Sequence, residues 1–314
     1  MTGRSDSSLA AILLTQRLVE STADPLKASE YWDLLSLVSD PATLLGADVA
    51  TIISFGVLAD SAARLRQRLE AATSLAFELD RMEQSGIRVV ASVDDEYPAG
   101  LAALGHGAPP LLYVAGDTSL LAADLLGVVG SRDVAEHAAD AAAAAAREAA
   151  RNGVGVVSGG APGVDRLAMS AAVDAGAVSV GVMADSLLRT VRDPEVRRAV
   201  IEGSACLCTP YKPSAGFSGA NAMGRNKLIY ALSVATLVVA SEVESGGTWA
   251  GAVEALRAGI APVIAWVGEG ATPGNERLTT LGAVPLRAVE DLFPLPSALP
   301  IRVVEPPQQL TLDV

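Results

Sequence analysis

Histidine, cysteine and aromatic side chains are the scarce residues here, and each scarcity excludes a chemistry. Only two histidines, His106 and His137, occur among 314 residues. Neither falls in a loop that ends an apolar run, so a Ser-His-Asp hydrolase site has no general base. Both imidazoles are expected at the surface. The two cysteines, Cys206 and Cys208, stand at i and i+2 on an expected strand and therefore share a face. Without histidine nearby they make a poor zinc set, and they fit buried thiols in a reducing, cytoplasmic compartment. No metal-ligand spacing appears, and no cofactor is expected. Aromatics make up 4% of the chain, which leaves little base stacking beyond Tyr211, Phe217 or Trp249.

Positive charge is also short: 23 Lys and Arg face 36 Asp and Glu, for a net charge of −13. That counts against a general nucleic-acid binder, whose affinity comes largely from cations on phosphates. The charge is uneven, however. Arg189, Arg192, Arg197, Arg198, Lys212, Arg225 and Lys227 cluster, while many acids gather toward the C-terminal end, so a local basic groove on an acidic protein is compatible with the totals. The longest nearly charge-free apolar run, residues 228–241, is too short to span a bilayer. Met1 to Asp6 lacks a basic cluster followed by a long apolar core, so no signal peptide is expected.

What is abundant is apolar surface, 50% of residues, enough for one large and one smaller domain. Residues 1–85 carry three amphipathic stripes: Leu9, Ile12, Leu13 and Leu18; Leu34, Leu35, Leu37 and Val38; and a long stretch from Leu58 to Met82. Pro25, Pro41 and Gly56 punctuate them. This predicts a small helical domain without chemistry of its own. Ile87 to Val93 and the run around Leu111 to Val114 read as the first strands of the larger domain, residues 86–293. From residue 125 apolar runs alternate with helical patterns. Strands are predicted at 125–129, 154–158, 178–183, 204–209, 235–241 and 262–267. Helices are predicted near 135–151, 165–175, 194–202, 222–233, 248–258 and 275–281. Six alternations predict an α/β doubly wound, Rossmann-like, mostly parallel sheet. Residues 294–314 read as a Pro-rich, mobile tail.

Four loops carry the chemistry, and all are expected on the carboxyl edge of that sheet. Gly130-Ser131-Arg132 ends the first strand: the glycine admits a close ligand, the serine caps, and the arginine offers a fork for phosphate. Ser158-Gly159-Gly160, with Gly163 and Asp165, ends the second as a glycine-rich nest suited to anions. Asp165 itself reads as structural, because a carboxylate aimed at phosphate repels it. Asn221, Arg225, Asn226 and Lys227 open the helix before the fifth strand, with Arg225 and Lys227 both within reach of the crevice. Gly246-Gly247-Thr248 begins the next helix. Such loops place backbone N–H groups where a phosphate docks, and by themselves leave open whether the ligand is a nucleotide or a nucleic-acid backbone.

Tyr97-Pro98, Pro109-Pro110-Leu111-Leu112-Tyr113, Val129-Gly130-Ser131-Arg132, Val157-Ser158-Gly159 with Gly163-Val164-Asp165, and Arg225-Asn226-Lys227 occur in that order. Together they resemble the DNA-processing protein A family (DprA, also called Smf) over roughly residues 25 to 290. The resemblance implies a helical N-terminal (SAM-like) domain before an extended Rossmann fold that binds single-stranded DNA. It also implies a homodimer and a RecA-type recombinase as partner in natural transformation and DNA recombination. On the matching positions, it implies that the Gly130–Arg132 turn, the Ser158–Asp165 loop, Asn221, Arg225, Asn226 and Lys227 line the DNA groove. Departures are visible. Ala222-Met223 replaces the family's Phe-Pro, Met169 stands where a histidine is common, and Ser245-Gly246-Gly247-Thr248-Trp249 replaces a Ser-Gly-Ser turn. The C-terminal winged helix of many members is expected to be missing.

The alternative is a nucleotide-binding enzyme or sensor of the phosphoribohydrolase-related superfamily, which Arg225, Lys227 and Gly246-Gly247-Thr248 also resemble. Those enzymes carry a glutamate just after the threonine, where this chain has Trp249, Ala250 and Gly251. Glycosidic cleavage then lacks its electrostatic stabiliser, unless Glu254 substitutes from further along the helix. A Rossmann-like scaffold with a decayed site is a third reading. Gln309 to Val314 resembles the short peptides that dock on a sliding clamp, against the plainer reading of a disordered end.

Overall fold

The computed structural model describes residues 4–19, 21 and 23–296. The Gln309–Val314 peptide therefore lies outside the described residues.

Five helices come first: α1 (Asp6–Thr15), α2 (Ala28–Val38), α3 (Val49–Ser54), α4 (Ala59–Leu69) and α5 (Ala72–Gln84). Side-chain caps start two of them, with Ser5 accepting from the Ser8 amide and Asp48 from the Thr51 amide. The long amphipathic stretch expected from Leu58 to Met82 divides into α4 and α5: the Glu70 amide still bonds the Arg66 carbonyl, but the Ala71 amide bonds Arg68 instead of continuing the α ladder. Leu18 likewise lies beyond the end of α1. Arg68 on α4 is 2% exposed. Its guanidinium donates to the carbonyls of Leu13 and Gln16, which the end of α1 leaves without helical partners.

The sheet follows: β1 (Arg88–Ala91), β2 (Leu111–Ala115), β3 (Leu125–Val129), α6 (Glu136–Arg151), β4 (Gly155–Ser158), α7 (Val164–Asp174), β5 (Ser179–Val182), α8 (Leu187–Thr190), α9 (Pro194–Ile201) and β6 (Ala205–Thr209). It continues through α10 (Gly219–Ala231), β7 (Ala235–Val238), α11 (Gly246–Ala258), β8 (Val263–Trp266), α12 (Pro273–Thr280) and β9 (Val284–Leu286). Strand order is β1-β2-β6-β5-β4-β3-β7-β8-β9. From β6 to β9 every pairing is parallel, while β1 and β2 add an antiparallel end. The chain is thus α/β and Rossmann-like with a mostly parallel sheet, and a helical region precedes it.

Helices cover both faces, as strands buried on two sides require. On one face Leu126, Val128, Val156 and Leu237 pack under α6 and α7. The alanine run of α6 serves this contact: Ala138, Ala142, Ala145 and Ala149, three or four residues apart, are all buried. On the other face Leu125, Val157, Val180 and Val238 pack with α10, α11 and α12. Cys206 and Cys208 share this second core and are free thiols. Burial pushes the Cys208 thiol up to about 12, so it stays protonated and unreactive at neutral pH. The N-terminal helices close the antiparallel end, where Ile12, Leu13 and Tyr31 join Val89, Tyr113 and Leu207 in one core.

Candidate phosphate-binding crevice

The sheet reverses its winding at β3. From there the chain steps outward through β4, β5 and β6, then returns to lay β7 on β3's other side. Crossover loops diverge at such a point, and a crevice opens over the carboxyl ends of the strands. A crevice of about 550 Å³ lies there, bounded by the Gly130–Asp133 turn, the start of α10 and the Ser245–Thr248 turn.

Its rim is built from three elements. After β3, Gly130 and Ser131 turn the chain, and Arg132 stands exposed with its guanidinium carbon 5.0 Å from the centre of the Phe217 ring. That is cation–π distance. At the start of α11, the Thr248 hydroxyl donates to the Gly130 carbonyl at 3.1 Å. On α10, the Asn226 amide donates to the Gly247 carbonyl at 3.1 Å. These two bonds tie the start of α11 to the Gly130 turn on one side and to α10 on the other. Ser218 caps α10 by accepting from the Asn221 amide, so the helix begins at Gly219, three residues before its predicted start. Arg225 and Ile229, and Asn226 and Tyr230, are four apart on α10, so each pair projects to one side of the helix. All four meet the crevice.

Its floor is dry. Arg225 is 5% exposed, Asp165 6% and Tyr230 1%. Burial pushes the Asp165 carboxyl up from its usual range, while the Arg225 cation and nearby amides pull it back. Burial lowers the Arg225 guanidinium, and Asp165 opposes that shift. The Ala161 amide donates to Asp165 at 3.4 Å, so the aspartate braces the second loop.

The family of DNA recombination-mediator protein A matches residues 88–295. The chain belongs to this family. The putative DNA processing protein DprA of Mycobacterium tuberculosis is 29% identical, over 83% of this chain and 73% of that protein. DprA of Bacillus subtilis is 25% identical, over 90% of this chain and 94% of that protein. DprA from Streptococcus pneumoniae shares the fold, with a TM-score of 0.66 at 21% identity over 85% of this chain and 97% of that one. DNA processing protein A from Helicobacter pylori, a structure concerned with its single-stranded DNA binding mode, aligns with a TM-score of 0.55 at 22% identity, over 66% of this chain and 95% of that one.

Within this DprA fold, Gly130, Ser131, Arg132, Asp165, Arg225, Asn226, Gly246, Gly247 and Thr248 gather around one crevice. The others do not line it. The Ser158 hydroxyl is fully buried and donates to the Val128 carbonyl at 2.5 Å, tying β4 to β3. Gly159 lies over the Arg225 guanidinium, where a Cβ would approach Nη1 to 1.3 Å. Gly163, at φ +86°, brings the second loop against the first: a Cβ there would sit 2.5 Å from the Ser131 carbonyl oxygen. Gly160 accepts at its carbonyl from Arg166 Nε. The second loop is thus a packed support, because its glycines face protein atoms. Asn221 faces Tyr211, whose hydroxyl donates to its carbonyl.

Arg225 and Lys227 do not reach the crevice together. Arg225 forms its floor, while Lys227 lies in a neighbouring depression of about 290 Å³. There its Nζ pairs with Glu254 at 2.9 Å. Glu254, the carboxylate weighed as a catalytic substitute, is held in that pair and does not line the crevice. His106 and His137 are exposed, against Asp33 and Glu269. Among the described residues no group of three His, Cys, Asp or Glu side chains is placed to hold a metal ion, and no helix is long and apolar enough to cross a membrane. Tyr230 and Phe217 are crevice residues that the loop motifs miss. The four-residue spacing from Asn226 to Tyr230 is the signal that finds the first.

Proposed function

We propose that this protein holds single-stranded DNA across the crevice at the β3–β7 switch, gripping backbone phosphates without making or breaking bonds. The observation that carries this is the convergence on one rim of the Gly130-Ser131-Arg132 turn and the amino-terminal end of α11. A helix start directs N–H groups and partial positive charge at an anion, and Arg132 adds a full, solvent-accessible cation beside them. Phe217, 57% exposed and stacked on Arg132, supplies the apolar plane on which an unpaired base rests. Asp133 and Glu242 share the same crevice, so binding is modest in strength and falls with salt in proportion to a few phosphate contacts. The single-stranded DNA binding mode of the H. pylori relative supports the same ligand class.

Family membership supports two further parts of the reading: assistance in loading a RecA-type recombinase, and action as a homodimer. The buried, unpaired thiols support a reducing cytoplasm. The sliding-clamp contact rests on the Gln309–Val314 peptide alone. The test is a fluorescence titration with an unstructured oligonucleotide and, separately, with a mononucleotide. Oligonucleotide binding clearly stronger than mononucleotide binding supports the proposal. Preferential mononucleotide binding, with release of free base, contradicts it.

A further inference from the structure

The charges around the crevice do not sum as those of a plain phosphate site would. Five charged side chains line it: Arg132, Asp133, Asp165, Arg225 and Glu242. Asp165 and Arg225 are buried in the floor and opposite in sign. Of the three exposed on the rim, one is a cation and two are carboxylates. Neither Asp133 nor Glu242 pairs with a cation among the described residues, whereas Lys227 in the neighbouring depression is held by Glu254. The Glu242 backbone is also fixed. The Ser241 amide donates to the Thr272 hydroxyl at 3.0 Å, and that hydroxyl donates to the Ser241 carbonyl at 2.7 Å. Asn275, fully buried, donates to the Val239 carbonyl at 2.8 Å. Thus α12 anchors the chain that leaves β7, and the Glu242 carboxylate stands on a rigid base beside the phosphate site.

Unpaired carboxylates beside a polyanion weaken every contact with it, so what they set is which polyanion is accepted. We propose that Asp133 and Glu242 make the crevice reject double-stranded DNA. This inference rests on the single-stranded DNA reading and deepens it by naming residues that set the preference. Duplex DNA carries one charge per about 1.7 Å of axis, twice the density of either strand alone. Within a Debye length of about 8 Å, the two carboxylates therefore oppose roughly twice the charge. A single strand also bends, bringing one phosphate to Arg132 and the α11 amides while its neighbours turn away from the acids. A duplex, stiff over about 150 base pairs, cannot do so. The attraction is the same for both forms, one run of backbone on Arg132 and the start of α11. Repulsion decides between them.

The experiment measures anisotropy with one labelled, unstructured oligonucleotide, alone and annealed to its complement, at a single low ionic strength. The proteins are the wild type, Asp133→Asn with Glu242→Gln, and a control carrying Asp124→Asn with Asp174→Asn. The control makes the same change in net charge at exposed residues on the opposite edge of the sheet, before β3 and at the end of α7. The wild type is expected to bind the single strand more tightly. In the crevice variant both forms gain, and the duplex gains at least about threefold more than the single strand. Each single substitution moves the ratio in the same direction, and the control leaves it as in the wild type. Equal gains on both forms overturn the inference while leaving the DNA reading intact, as does a control that moves the ratio as far. A wild type with no preference for the single strand overturns it too. If the wild type binds neither form, the DNA reading itself fails and this inference falls with it.

Discussion

Gly159 and Arg225 occupy one another's space: a Cβ on Gly159 would come within 1.3 Å of Arg225 Nη1. The second glycine loop and the arginine of α10 thus form one packed unit beneath the crevice. The glycine is there to let a guanidinium lie flat under the backbone. Gly159→Ala should push Arg225 from its seat and destabilise the fold by about 1–3 kcal/mol. Thermal melting checks this. An unchanged melting temperature would show that Arg225 has room to move.

Glu254 neutralises Lys227, at 2.9 Å, just outside the crevice. Both side chains are partly exposed, and such pairs hold each other by only about 0.2–1 kcal/mol. Glu254→Gln should therefore free the lysine and strengthen oligonucleotide binding by up to about fivefold, most clearly at low salt. Weaker binding in this variant would show that the carboxylate supports the site.

Asp165 sets a sign for the pH dependence of stability. Burial raises its folded pKa above the ordinary 3.8, so between those two values the native state binds more protons than the unfolded chain. Stability contributed at this site is therefore lost as pH rises through that window. Urea unfolding of the wild type and Asp165→Asn across pH should show the wild type losing ground relative to the variant as pH rises from about 3.8. A constant difference between the two, or the opposite slope, would contradict a desolvated carboxylate.

Arg68 closes the end of α1 with its guanidinium on the carbonyls of Leu13 and Gln16. Arg68→Met leaves those buried acceptors unpaired, and each costs about 1–3 kcal/mol. Chemical denaturation should show a loss of at least that size. A loss of only a few tenths would mean that water replaces the arginine.

Much of the fold was legible because strand-to-helix alternation is a strong signal in a parallel sheet. The strands at 125–129 and 204–209 lie within a residue of β3 and β6, and the alanine run packs as its size suggests. Two boundaries were not legible. The break between α4 and α5 falls at Glu70-Ala71, residues that fit a helix, and tertiary packing decides it. The start of α10 hides in Gly219-Ala220, which read as loop until Ser218 is seen to cap it. At the site, Gly130, Arg132 and Gly246-Gly247-Thr248 could be placed on one edge from spacing alone. The depth of Arg225 could not, because a cation at a helix start looks the same in sequence whether it faces solvent or a glycine loop. Likewise, nothing local links Lys227 to Glu254, which reside on different helices and meet only when α10 packs beside α11.

The central claim, that the crevice rim grips a polyanionic strand, is tested most directly by the salt dependence of oligonucleotide binding in the wild type and in Arg132→Ala. The account predicts weaker binding by the variant and a slope of log affinity against log salt that is shallower by about 0.7, one phosphate contact fewer on a single strand. Identical affinity and identical slope in the two proteins would contradict it.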